Sequence, residues 1–146
     1  MIYRENVTGT QAAEPQTVEV NGDTVYIRSN VRRESMDVGD GRMEDMWRYN
    51  ENELTHAEYD QLLALTLQIP DNEWNEGLQE ACREARYMRW DGSEQSARRK
   101  IELGIEVNEN QEKLNKILNY KQAVNETVNQ QGYPTNVPVW PAEPKI

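Results

Sequence analysis

Two stretches near the front of the chain alternate between apolar and polar residues. Gln16-Thr17-Val18-Glu19-Val20 and Thr24-Val25-Tyr26-Ile27-Arg28 each show a period of two, and Asn21-Gly22 between them is a strong two-residue turn signal. This pattern predicts a β-hairpin with Val18 and Val20 on the same face as Val25 and Ile27. A two-stranded hairpin alone is marginal in water, so further strands are expected. Val31 to Glu34 can prolong the second strand and Met46 to Tyr49 can return beside it, across a glycine-containing loop at Asp37 to Arg42. The expected unit is a small antiparallel sheet of three or four strands over residues 17–50. A flexible or partner-ordered lead-in is expected at residues 1–16, where Gly9, Pro15 and polar side chains show no period.

From residue 51 onward the spacing changes to three and four. Thr55-His56-Ala57-Glu58 matches a capping box, and Tyr59, Leu62, Leu63 and Thr66 follow at helical spacing up to a stop at Pro70. Asp71 is the expected cap of a second helix with the stripe Trp74, Leu78, Ala81, Cys82, Ala85 and Met88. A third helix is expected from Ser93 to Gly104. Asn108 with Gln111 reads as the cap of a fourth, with Leu114, Ile117, Leu118, Lys121, Val124 and Val128 on one side and Gly132 as its stop. Past that glycine, Pro134, Pro138, Pro141 and Pro144 exclude helix and predict an extended ribbon over residues 132–146. The fold class is therefore α+β: an N-terminal antiparallel sheet, a helical region over 51–131, and an extended proline- and aromatic-rich tail.

Composition qualifies this picture. Leu, Ile and Val together number 27 of 146, and Phe is absent, so the aliphatic core stock is below the roughly 20% that suggests order on its own. Four Trp, seven Tyr and five Met repair part of the deficit, which leaves an elongated fold leaning on a partner or on copies of itself as the expectation. A net charge of −10 repels phosphate backbones and argues against nucleic-acid binding. Cys82 is alone, no apolar run approaches the roughly 20 residues of a membrane span, and the first residues lack a signal pattern. The expected setting is cytoplasmic, without membrane contact.

Candidate chemistry is sparse. His56 sits in a capping box, where a solvated first-turn residue outweighs a catalytic base. Cys82 lies on an apolar stripe and reads as an inert buried thiol. Asp37, Asp40, Glu44 and Asp45 lack the spacing of a calcium loop and read as a solvated turn. Glu73, Glu76, Glu80 and Glu84 form an acidic stripe, but Arg83, Arg86 and Arg89 interleave with it. Arg98-Arg99-Lys100 points in three directions around a helix. No phosphate loop, nucleophile triad or metal-ligand cluster occurs, so no cofactor, metal or catalytic residue is assigned and an enzyme is not expected.

The tail carries more. Solvated tails rarely keep residues such as Tyr133, Val137, Val139 and Trp140 at intervals, so docking onto a partner or onto the chain's own helices is expected. The string Tyr120-Lys121-Gln122-Ala123-Val124, then Gln130-Gln131-Gly132-Tyr133-Pro134, then Asn136-Val137 and Trp140-Pro141-Ala142-Glu143-Pro144 resembles the C-terminal signature of bacteriophage tail assembly chaperone domains. That signature runs Tyr-Arg-Gln-Ala-Leu-Arg, a spacer, Gln-x-Gly-Phe-Pro, then Val-x-Trp-Pro-x-x-Pro. Upstream, Trp90-Asp91, Arg98 to Leu103 and Glu102-Leu103-Gly104 are similar to a segment of phage tail accessory proteins, so the resemblance covers about residues 90–144. Here Lys121 replaces the usual Arg, Val124 the Leu, Asn125 the second Arg and Tyr133 the Phe, and Pro138-Val139 is inserted.

What the resemblance implies is a phage tail fibre assembly chaperone or adaptor whose partner is the fibre or receptor-binding protein. The contact candidates it carries over are Tyr120, Gln122, Ala123, Gly132, Tyr133, Pro134, Trp140 and Pro141. Expected localisation is then the host cytoplasm during assembly, or the virion tail. The front hairpin lies outside the resemblance and is a second candidate contact. Homo-oligomers, a permanent minor structural role in the virion tail, and an acidic phage inhibitor of a host defence protein remain open alternatives.

Overall fold

The structure, a computed structural model, describes residues 1–146 and has the α+β architecture expected from the alternation and helical spacing. Four antiparallel strands, β1 (Ile2–Gly9), β2 (Val18–Asn21), β3 (Thr24–Asp37) and β4 (Met43–Thr55), form one sheet in the order β1-β4-β3-β2. Helices α1 (His56–Leu63), α2 (Glu76–Met88), α3 (Asp91–Glu102) and α4 (Val107–Asn125) follow. No helix is long and apolar enough to cross a membrane.

In the front hairpin Val18 and Val20 share a face with Val25 and Ile27 as expected, and the pairs are Val18 with Ile27 and Val20 with Val25. Its turn lies one residue later than expected: Asn21 pairs with Thr24, and Gly22 takes the first central position at φ +61°. Two boundaries also move. The stretch expected as a flexible or partner-ordered lead-in contains β1, and β4 runs through residues 51–55 before the first helix begins. Pairing explains the first change, because Ile2, Tyr3 and Arg4 lie opposite Glu53, Asn52 and Glu51, so a stretch without periodicity is ordered by its neighbour.

One face of the sheet packs on helices. Val25, Ile27, Leu54, Leu62, Leu78, Cys82 and Ala85 are buried there. The opposite face carries a charged ladder: Arg28 binds Glu51 at 3.0 Å and Glu19 at 2.7 Å, and Arg4 binds Glu53 at 2.7 Å. Arg28 also lies over the rings of Tyr26 and Tyr49.

Helix caps match in part. Thr55 and Glu58 form the expected capping box, but α1 stops at Leu63, and Leu65 turns at φ +62° well before Pro70. Asp71 opens a short 3-10 turn (Asp71–Glu73), and the true cap of α2 is Asn75. Helix α3 starts at Asp91 ahead of Ser93 and stops at Gly104, φ +71°. Neither Asn108 nor Gln111 caps α4; the chain enters through Glu106 at φ +43°, and Asn110 donates from Nδ2 to the carbonyls of Ile105 and Glu106, both at 3.0 Å. After Asn125 the helix tightens into a 3-10 turn (Glu126–Asn129), which takes Val128 off the buried side and leaves it exposed.

A reciprocal amide pair joins sheet to helices. Asn52 on β4 donates to Asn75 Oδ1 at 2.9 Å, and Asn75 donates to Asn52 Oδ1 at 2.8 Å, while Asn75 Oδ1 also accepts from Leu78 N at 3.1 Å. Gly77 keeps the space open, since a Cβ there would lie 2.9 Å from Asn52 Nδ2 and 3.2 Å from Ser29 Oγ. Asn75→Ala removes a helix cap and orphans a buried amide, so urea denaturation is expected to show a loss of about 2–4 kcal/mol. A loss below about 1 kcal/mol would mean that the pair does not anchor the helices.

Candidate functional site

The candidate interface is built by the tail folding back across α2 and α4. Residues Gln131 to Asn136 form a turn, and only residues 137–146 run out as the ribbon expected from Gly132 onward. Gly132 supplies φ +78° at that turn, where any Cβ would collide with the Asn136 side chain.

Two glutamines hold the tail to the helical body. Gln79 of α2, 1% exposed, donates from Nε2 to the carbonyls of Pro134 and Asn136, both at 2.9 Å. Gln130 acts as a strand partner for Val139, donating to its carbonyl at 2.7 Å and accepting from its N–H at 2.8 Å. Pro138 is buried, and Trp140 packs against the cluster of Ile27, Leu54, Leu62, Leu78, Cys82 and Ala85. The Arg86 guanidinium stands 4.1 Å from the Trp140 ring centroid, and Arg89 pairs with Glu143 at 2.8 Å. Burial lowers the pKa of Arg86, and the indole face supplies the negative electrostatic surface that a carboxylate would otherwise provide.

Trp90-Asp91 and Tyr120-Lys121, about thirty residues apart in the chain, meet. Trp90 packs edge-on against Tyr120 with centroids 6.3 Å apart, and Lys121 binds Asp91 and Glu94 from a nearly solvent-free position. Burial alone would lower the pKa of Lys121, but the Asp91 hydrogen bond and the Glu94 charge outweigh it and hold the ammonium above its ordinary value. Lys121 also lies 4.5 Å from the Tyr87 ring. Two carboxylates converge on the single head group of Lys121.

The eight carried-over residues fall into distinct places. Tyr120, Ala123 and Pro141 line one open hollow of about 420 Å³ with Lys116, Asn119 and Lys145. Tyr120 is 5% exposed and its hydroxyl has no partner. Pro134 faces α2 through Gln79, and Trp140 faces the core. Tyr133 is half-buried, Gly132 is exposed in the turn, and Gln122 is exposed and bonded to Glu126 at 3.1 Å. Trp140 and Pro134 therefore brace the chain's own fold, while Gln122, Ala123, Tyr133 and Pro141 retain surface.

Sequence reasoning missed Gln79, Gln130 and Arg86 as the residues holding the tail. The available signal was Gln79 itself, a polar side chain beside Leu78 on the buried side of α2. Elsewhere the chemistry is quiet. His56 is exposed against Asp60, and Asp37 accepts from Gly39 N at 2.8 Å within its turn. No group of three or more His, Cys, Asp or Glu side chains converges as a metal set.

Comparisons with protein-family models, curated proteins and solved structures found no match for this chain.

Trp140→Ala is expected to cost about 2–4 kcal/mol in urea denaturation, by opening a cavity and releasing Arg86. Limited proteolysis should then cut the tail first, and a tail that stays protected would contradict this packing. Burial pushes the Cys82 thiol from 9.0 up to about 11. Because the folded state holds this proton more tightly, its stabilising contribution is complete below about pH 9 and declines toward pH 11. At pH 8 the native thiol should react with a disulfide reagent on the order of 100-fold more slowly than the unfolded one.

Proposed function

We propose that this chain is a phage tail-associated protein, a tail fibre assembly chaperone or adaptor that binds the fibre or receptor-binding protein. The observation that carries the reading is the meeting of Trp90-Asp91 with Tyr120-Lys121. The two stretches that carry the resemblance, about thirty residues apart, are joined by an aromatic contact and a partly buried ion pair into one folded unit, which supports reading them together.

Division of labour within the signature supports the same reading. Trp140, Pro134 and Lys121 build the unit, and Gln122, Ala123, Tyr133 and Pro141 are left on its surface. An unassembled fibre exposes strand edges and apolar surface that invite mispairing, and an acidic protein of this kind shields them until assembly buries them. The surplus of ten negative charges keeps such a complex soluble.

Cutting off the tail is a poor test, because Trp140 belongs to the core. The better experiment co-expresses the full chain with the tail fibre protein encoded beside it and measures fibre solubility and co-purification. Wild type should raise soluble fibre and co-purify with it. Ala123→Glu, which places a carboxylate in the hollow beside Pro141, should lower recovery about tenfold with an unchanged unfolding midpoint. Equal fibre solubility with and without the chain, and no co-purification, would reject the reading.

A further inference from the structure

The sheet has two edges, and they differ. At β1 the register slips between Arg4 and Val7, and Asn6 adopts φ +55°. Its N–H is taken by Asn50 Oδ1 at 3.1 Å and its Oδ1 accepts from Arg32 at 2.8 Å. A bulge of this kind bends the strand and blunts the edge against further pairing.

No such device protects β2. Its ladder with β3 is regular from Val18–Ile27 to the closing Asn21–Thr24 pair, without a shift. Inward-bonding positions alternate along an antiparallel strand, and the hydrogen bond from Arg28 N to Thr17 O at 2.8 Å identifies the odd-numbered residues as the ones facing β3. The N–H and C=O groups of Val18 and Val20 therefore point away from the sheet. These same residues expose apolar side chains, 36% for Val18 and 55% for Val20, because the helices do not reach over them.

We infer that the β2 edge accepts an extended strand from a basic segment of the partner protein, completing a fifth strand through Val18 and Val20. The inference rests on the fibre-binding reading and names the surface that performs it.

Charge decides between a partner and a second copy. Only one antiparallel register matches the outward groups of both valines to those of a copy, Val18 opposite Val20 and the reverse. That register sets Glu19 directly against Glu19 of the other chain, and each chain carries −10. Like charges directly opposite one another destabilise a strand pair. In contrast, a lysine or arginine opposite Glu19, whose side chain is 46% exposed, would find a carboxylate that Arg28 already holds in place at 2.7 Å. The added strand should have small or β-branched apolar residues beside Val18 and Val20 and a basic residue between them.

The test compares wild type, Val20→Pro and Val20→Thr for binding to purified fibre protein. Proline at this position removes an outward N–H and leaves the β2–β3 ladder bonds in place, whereas threonine keeps both the N–H and the branched shape. At least tenfold weaker binding by Val20→Pro, with Val20→Thr within about twofold of wild type, is expected. Hydrogen exchange on the wild-type complex provides a readout free of any folding defect: the Val18 and Val20 amides should slow at least tenfold when fibre binds. If wild type binds fibre but these amides stay unprotected and Val20→Pro binds equally well, the edge assignment is overturned while the fibre-binding reading survives. Wild-type dimers that Val20→Pro abolishes would give the edge to a second copy and overturn it too. Failure of wild type to bind fibre at all removes both proposals.

Discussion

Asn52 and Asn75 exchange amide hydrogen bonds inside the protein, and the two halves of the molecule meet through that exchange. The sheet cannot bury its apolar face without helices, and α2 cannot start without a partner for its free N–H groups. One side chain meets both needs, since Asn75 Oδ1 accepts from the start of α2 and from β4 together. Apolar residues could have filled the same space, but they would have left the cap unmet and the register between strand and helix unspecified. Gly77 shows how closely the surroundings are fitted to the pair, because Asn52 and Ser29 occupy the room a side chain would need.

A second constraint follows from the short supply of aliphatic residues. With no Phe, the core recruits Trp140 from the far end of the chain, so the tail becomes a structural member. The tail has no helix or strand of its own to satisfy its backbone, and Gln79 and Gln130 supply hydrogen bonds that a neighbouring strand would normally make. Arg86 of α2 and Arg89 at its C-terminal cap then hold Trp140 and Glu143 in place. The interleaving of Arg with Glu along that helix, which in sequence looks like a balanced solvated face, includes the docking rail for the ribbon.

Periodic features were legible in the sequence, and features made by distant partners were not. The shared face of Val18, Val20, Val25 and Ile27, the Thr55–Glu58 capping box, the Gly104 stop and the buried Cys82 all follow from spacing within about four residues. Strand β1 escaped because Ile2 to Gly9 shows no alternation and is mostly exposed; its order comes from pairing with β4. Asn75 was passed over for Asp71 because both residue types cap helices, and only Asn52 distinguishes them. Lys121 looked like a member of an apolar stripe, and it is buried in fact, with carboxylates from α3 that helical spacing cannot reveal. Among the site residues, spacing correctly suggested that the tail docks, yet whether Trp140 faces a partner or its own core depended on Arg86 and the α1–α2 cluster.

The sheet order has a kinetic side. Strands β1 and β2 are consecutive in the chain but lie at opposite edges, so residues 10–17 must cross the sheet between them. Ile2 finds its partner only when Glu53 is present. At a synthesis rate of about 5–20 residues per second, β1 therefore waits for several seconds as an unpaired ribbon while β3 and β4 emerge. Local hairpins close within microseconds, so β2, β3 and β4 can assemble as soon as they leave the ribosome, and β1, made before them, is the last strand of the sheet to be placed.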